Sequence, residues 1–203
     1  MITVIDYGMG NLGSLVNMFK YLGVQATIAS DPEDIKLAKK ILLPGVGAFD
    51  SAMLQINKTK KLRSVLEAKA LVEKVPMLGV CLGMQLLTRG SEEGKMSGLG
   101  FIPADTCRIP PKDGLKVPHM GWNLAKPTKV PSALLNDVDH DARYYFVHSY
   151  AVHVDETVNS IMKTEHSVLF DSGICCKNIY GVQFHPEKSH KFGMKILRNF
   201  ARL

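Results

Sequence analysis

Along the N-terminal half, short unbroken apolar runs alternate with stretches in which apolar residues recur every three or four positions. Ile2-Thr3-Val4-Ile5 is a β-branched run and predicts a strand. Leu12, Leu15, Val16, Phe19 and Leu22 follow at helical spacing, with Asn11 placed as an N-cap and Gly23 as a stop. Gln25–Ala29 predicts the second strand, and Asp31-Pro32 opens a second helix with proline at its first position. Lys40-Ile41-Leu42-Leu43 predicts the third strand, halted by Pro44-Gly45. Helical patterns cover Phe49–Asn57 and Lys60–Lys74, Met77–Val80 predicts the fourth strand, and Leu82–Arg89 reads as the start of another helix.

The second half loses this rhythm. Pro103, Pro110, Pro111, Pro118, Pro127 and Pro131 cut it into short pieces separated by strand-like runs, among them Tyr144–Val147 and Ser160–Thr164. Val168–Phe170 and Ile174–Lys177 flank Asp171-Ser172-Gly173, a hairpin-turn signal. Ile179–Phe184 is the last strong strand, and a C-terminal helix follows with Phe192, Ile196, Leu197 and Phe200 on one side. The expectation is an α/β fold. A mostly parallel central sheet is flanked by helices, a smaller antiparallel section lies in the second half, and residues 1–203 form a single domain.

Composition adds little to that picture but removes several classes. The 203 residues are 46% hydrophobic and 22% charged, ordinary globular usage. The N-terminus runs directly into a strand rather than through a charged-then-apolar leader, and no apolar run nears the roughly 20 residues of a bilayer span. A soluble, cytoplasmic protein is expected, with no membrane role. The net charge of +6 gathers in clusters such as Lys58-Thr59-Lys60-Lys61 and Lys36–Lys40. No stretch interleaves aromatic and basic residues as single-strand binders do, so nucleic acid is not expected. Solvated helix faces, or a docking surface for an acidic partner, fit better. Cys81, Cys107, Cys175 and Cys176 lack paired zinc spacing and are read as reduced thiols, with Cys175 and Cys176 on opposite faces of a strand.

Candidate chemistry centres on Cys81. It lies between Gly79 and Gly83, directly after an apolar run and before a helical pattern. A nucleophile at a strand-to-helix turn is held exposed in a sharp bend near helix N-terminal amides, and the thiolate is the reactive form of a cysteine. An inert buried cysteine fits the same local pattern. Nucleophilic cysteine chemistry also needs a base and a group that orients it, and His185-Pro186-Glu187 supplies both immediately after the last strand. Both segments fall at the C-terminal ends of strands, where open α/β sheets build their sites. Pro44-Gly45-Val46-Gly47 follows the third strand; it is either a tight turn before a helix or a loop whose amides face a developing oxyanion, with the Leu82 amide as second donor.

Taken together, Pro44–Gly47, Gly79–Gln85 and Gly181–Glu187 resemble the three signatures of class I (triad) glutamine amidotransferases, in that family's order. Asp6-Tyr7-Gly8-Met9-Gly10-Asn11, Pro118-His119-Met120-Gly121-Trp122-Asn123 and Phe146-Val147-His148-Ser149-Tyr150 narrow the resemblance to the glutaminase subunits of imidazole glycerol phosphate synthase. The resemblance implies a flavodoxin-like fold and a catalytic Cys81, His185 and Glu187. It implies oxyanion donors at Gly45, Val46, Gly47 and Leu82, and glutamine contacts at Gln85, Gly47, Ser149 and Tyr150. No metal or organic cofactor is implied. It further implies a heterodimer with a (β/α)₈-barrel synthase that receives the ammonia, docked near Asn11, Met120, Gly121, Trp122, Tyr145 and Lys188. A core position for Trp122 is the more usual role of a tryptophan. The resemblance also implies that the Gly45-Val46-Gly47 backbone turns when the synthase binds its ligand, with Val46 as the switch. Two other readings remain: the same chemistry feeding a barrel partner that modifies a surface sugar, toward which Leu87–Gly94 leans, and a binding module with a relic site, which the intact triad opposes.

Overall fold

The computed structural model describes residues 1–203. The expected alternation in the N-terminal half forms as β1 (Ile2–Ile5), α1 (Leu12–Tyr21), β2 (Ala26–Ala29), α2 (Pro32–Lys36), β3 (Ile41–Leu43), α3 (Phe49–Lys58), α4 (Leu62–Glu67), β4 (Met77–Val80) and α5 (Leu82–Leu86). Asn11 caps α1 by accepting the Ser14 N–H, and Asp31 caps α2 by accepting that of Glu33, so the sequence start signals act as expected. The second half adds β5 (Ala104–Arg108), β6 (His119–Leu124), β7 (Lys126–Pro127), β8 (Arg143–His148), β9 (Tyr150–Val154), β10 (Ser160–His166), β11 (Val168–Cys176), β12 (Ile179–Val182) and α6 (His190–Arg202).

An eight-stranded sheet orders these as β2-β1-β3-β4-β12-β11-β10-β7. From β2 to β12 the neighbours run parallel; β11 pairs antiparallel with β12 and with β10, and β10 with β7. Two antiparallel ribbons, β5-β9 and β6-β8, stand apart from it. The inner strands β1, β3 and β4 are buried at every position, and apolar apart from Thr3, because both faces of the sheet are covered there; the edge strand β2 is partly exposed. Ile41, Leu43 and Met77 enter one core beneath α2, α3 and α4, whereas Leu42, Leu78 and Val80 enter the other beneath α1 and α6. Cys176 packs on the first core and Cys175 on the second, as alternation along a strand requires. No helix is long and apolar enough to cross a membrane.

Three local expectations need correction. Asp171-Ser172-Gly173 is not a hairpin turn but the middle of β11. Asp171 is buried there, and its carboxylate accepts from Ser160 Oγ, Lys163 Nζ and the Val154 N–H, so tertiary partners satisfy a residue that otherwise prefers turns. The actual reversals lie on either side, at Ser167 and Lys177, both with positive φ. The helix expected over Lys60–Lys74 closes as α at Glu67 and continues as a wider π turn over Ala68–Val72, which seats Lys69 4% exposed with its ammonium 2.6 Å from Glu73. The helix after Cys81 stops at Leu86 instead of reaching Arg89, because the Arg89 N–H turns to the Ala104 carbonyl and carries the chain onto β5.

Candidate active site

Cys81 is the link between β4 and α5, with φ 55° and ψ −113°, a backbone conformation that side chains rarely adopt. Its N–H is fixed to the Val182 carbonyl at 2.8 Å, so the parallel pairing of β4 with β12 sets the position of the thiol. Glycine is required beside it: a Cβ at Gly83 would lie 1.9 Å from the Leu43 carbonyl oxygen, and one at Gly45 would meet the Gly83 nitrogen and Leu82. The chain after β3 therefore lies directly against the first turn of α5. Leu82 occupies the first helical position, where the backbone N–H has no intrahelical acceptor.

Beyond β12, His185 and Glu187 lie in and beside a single turn of 3₁₀ helix, Pro186–Lys188. His185 Nδ1 lies 2.8 Å from Glu187 Oε1, and both side chains are under 5% exposed. Burial alone would push the imidazole down, but its pairing with Cys81 and Glu187 outweighs that and raises its pKa to about 10. Two elements brought together by one parallel strand pair thus place a thiol, an imidazole and a carboxylate in line.

A cavity of about 360 Å³ opens at this point, lined by Cys81, Leu82, Gln85, Val46, Gly47 and His185 on the sheet side. Glu93, Pro118, Val147, His148, Ser149 and Tyr150 complete the lining. Of the residues expected to act here, two are withdrawn from the lining: Gly45, buried between Tyr7 and α5, and Glu187, which lies behind His185. Gly47 has φ +95°, open to glycine but strained for other residues, and Val46 beside it is 42% exposed.

Gln85 is buried and spends both amide hydrogens internally, on the Tyr150 carbonyl at 3.2 Å and Gln183 Oε1 at 3.1 Å. Gln183 Nε2 in turn points at Cys81 Sγ, 3.8 Å away. Several residues around the cavity were missed in the sequence. Gln183 lies two positions before His185, the period that returns a side chain to the same face of extended chain. Tyr7, at the C-terminal edge of β1, donates its phenol to the Pro44 carbonyl at 2.7 Å; burial, then the charge at Cys81, raises its pKa. Glu93 reaches the cavity from a loop and accepts the Phe49 N–H at 2.9 Å, a placement that no local pattern announces.

The residues assigned by resemblance to a docking face also gather. Trp122 is 46% exposed, not in the core; its ring lies edge-on to Tyr145 at 6.2 Å and stacks on His190 at 5.4 Å. Lys188 Nζ sits 5.6 Å from the Tyr145 ring centre. Met120, on the same side of β6 as Trp122, is 64% exposed, and Gly121 lies between them. Asn11 is exposed at the start of α1, which packs on the Pro186–Lys188 turn.

A buried thiol, imidazole and carboxylate meet at the carboxyl edge of a mixed α/β sheet, faced by a glycine-rich loop, an arrangement of the kind that cysteine hydrolases use. The chain matches the family described as glutamine amidotransferase class-I over residues 3–203, and it belongs to that family. It is 50% identical over 202 residues to imidazole glycerol phosphate synthase subunit HisH 2 of Methanococcus maripaludis, covering 100% of this chain and 99% of that one. Subunit HisH of Bdellovibrio bacteriovorus is 42% identical, with 100% of both chains covered. Subunit HisH 2 of Pseudomonas aeruginosa is 43% identical at the same coverage. The fold recurs in a crystal structure of a glutamine amidotransferase (TM-score 0.77, 13% identity, 100% of both chains). It recurs as well in the glutaminase domain of Trypanosoma brucei CTPS with bound acivicin (TM-score 0.67, 16% identity, 99% of this chain and 93% of that one).

Proposed function

We propose that this chain is the glutaminase subunit of imidazole glycerol phosphate synthase in histidine biosynthesis, releasing ammonia from L-glutamine for a (β/α)₈-barrel partner. The alignment of Cys81, His185 and Glu187 beside the cavity carries the chemical half of this reading. The full-length identity to HisH subunits carries the choice of pathway. Their names do not favour the surface-sugar alternative.

The chemistry follows from the placement. Cys81 sulfur attacks the side-chain carbonyl carbon of glutamine, and the oxygen that becomes negative is met by backbone N–H groups of Leu82 and of the Gly45–Gly47 loop. A protonated His185 gives its proton to the departing nitrogen, which leaves as ammonia. The imidazole then takes a proton from water as the hydroxyl attacks the thioester, and glutamate leaves with the thiol restored. Glu187 keeps Nδ1 of His185 oriented through both steps. With its amide hydrogens already occupied, Gln85 presents its side-chain oxygen to the substrate. Gly47, Ser149 and Tyr150 line the same space, and the Glu93 carboxylate suits the substrate's ammonium.

Free ammonia is protonated in water and lost as a nucleophile, so the reaction needs a docked acceptor. The face around Asn11, Met120, Gly121, Trp122, Tyr145 and Lys188, with aromatic groups at its centre, suits that partner. Val46 is the switch in this reading, its exposed position leaving the backbone free to turn when the barrel is filled. Glutamate release, measured with the histidine-pathway barrel subunit and its ribonucleotide ligand, is expected to rise at least tenfold over the isolated chain. No stimulation sinks the pathway assignment, and a Cys81→Ser variant that still releases glutamate sinks the triad.

A further inference from the structure

Behind the cavity runs a chain of hydrogen bonds, buried at its centre, whose direction is fully determined. His119 and His148 face each other in the register of β6 and β8, 3% and 7% exposed. His148 Nδ1 lies 2.8 Å from the Tyr150 carbonyl oxygen. A carbonyl can only accept, so the hydrogen of His148 is on Nδ1 and its Nε2 is a bare acceptor. His119 Nδ1, 2.9 Å from that Nε2, must therefore donate, which leaves its own Nε2 bare. Asn123 Nδ2 fills that acceptor at 3.1 Å and gives its second hydrogen to the Glu165 carbonyl at 3.0 Å. Asn123 Oδ1 accepts the Leu124 N–H at 2.8 Å, so the amide cannot be flipped without setting two donors face to face.

At the other end, the chain reaches the nucleophile. The Tyr150 carbonyl that accepts from His148 also accepts from Gln85, Gln85 holds Gln183, and Gln183 points at Cys81. His119 is clamped between rings, 4.6 Å from Phe146 and 4.1 Å from His166. Its imidazole therefore has one orientation available. An apolar pair would fill this space as well, but would leave the Tyr150 carbonyl and the glutamine amides with no fixed direction.

We propose that His119 and His148 are positioning residues for the glutamine pocket: as neutral imidazoles, each with its hydrogen on Nδ1, they hold the Tyr150 carbonyl and through it Gln85 and Gln183. The inference rests on the glutaminase reading above. Neither residue is catalytic: His119 lies outside the cavity lining, and His148, which lines it, spends Nδ1 on the Tyr150 carbonyl and Nε2 on His119. Nδ1–H is the less favoured tautomer of a free imidazole, so the fold holds both rings against their intrinsic preference. Burial keeps them neutral, helped at His119 by the imidazoles of His148 and His166; at His148, burial outweighs the Tyr150 hydrogen bond, helped by His166 and His185, and the pKa values fall to about 3 and about 4.

Nitrogen-15 NMR of the full chain at neutral pH, with labelled histidine, reads the tautomers directly. Both rings are expected as neutral Nδ1–H, and an Nε2–H tautomer at either one overturns the proposal. Kinetics with L-glutamine in the assembled complex give the second test. His119→Phe keeps the ring between its neighbours but removes the donor; KM is expected to rise about tenfold with kcat within about twofold. His119→Asn keeps a donor at the Nδ1 position, and its KM is expected within about threefold of wild type. An unchanged KM in His119→Phe, or an equal rise in both variants, overturns the proposal. A wild-type chain that releases no glutamate refutes the glutaminase reading instead, and the tautomer measurement still decides the relay; it also decides if His119→Phe does not fold.

Discussion

His185 and the His119–His148 pair are all buried imidazoles in adjoining parts of one site, yet their environments drive them in opposite directions. His185 has a carboxylate at 2.8 Å and a thiol beside it, and its pKa rises to about 10. His119 and His148 have a carbonyl, an amide and each other, and theirs fall to about 3 and about 4. Burial lowers all of them; only an anionic partner reverses it. In the proposed mechanism the difference separates a group that gives and takes protons from groups that stay neutral.

The comparison breaks most severely if its chemistry is removed. Cys81→Ser is expected to lower glutamate release by at least about a thousandfold in a steady-state assay, and residual activity above that level would show that the thiol is not the nucleophile. Glu187→Gln takes away the carboxylate and leaves the shape. It is expected to cut kcat about a hundredfold or more and to lower the pKa of His185, read by NMR titration. An unmoved His185 titration would assign its elevation to Cys81 alone.

A smaller effect appears in stability. His185 has a folded pKa above its unfolded value of 6.5, so its contribution is fully present below that value and is lost as pH rises through about 10. His119 and His148 are depressed instead: their contribution is present above 6.5 and is lost as pH falls toward about 4 and then about 3. Urea titration should therefore show wild type losing roughly 3 kcal/mol more than His119→Phe between pH 7 and pH 4. Parallel curves would mean that the pair is not held neutral. Smallest is His166→Gln, which removes a charge that disfavours both imidazolium forms; the acid unfolding midpoint is expected to move down by less than about half a pH unit.

Legibility in the sequence followed the same physical divide. The parallel half was readable because strands covered on both faces must be apolar throughout and helices covered on one face must repeat every three or four residues. Cys81, His185 and Glu187 were readable because turn chemistry at strand ends is local. Asp171 misled because its preference for turns was overruled by Lys163, Ser160 and Val154, partners 8, 11 and 17 residues before it that reach it only on folding. Gln183, Glu93 and the His119–His148 chain were equally hidden, since each depends on a cross-strand or cross-loop partner. Trp122 is exposed, as the resemblance implied and against the usual role of a tryptophan, because its companions, Tyr145, His190 and Lys188, make a platform rather than a pocket.

The backbone at Cys81 has a price of its own. With φ 55° and ψ −113°, any side chain at this position is held where only glycine rests comfortably. Cys81→Gly is therefore expected to unfold at higher urea than Cys81→Ala by about 1 kcal/mol, the reverse of the usual order for these two residues. The chain keeps a fold less stable than glycine at this position would provide, and the deficit is concentrated at the residue that carries the proposed nucleophile.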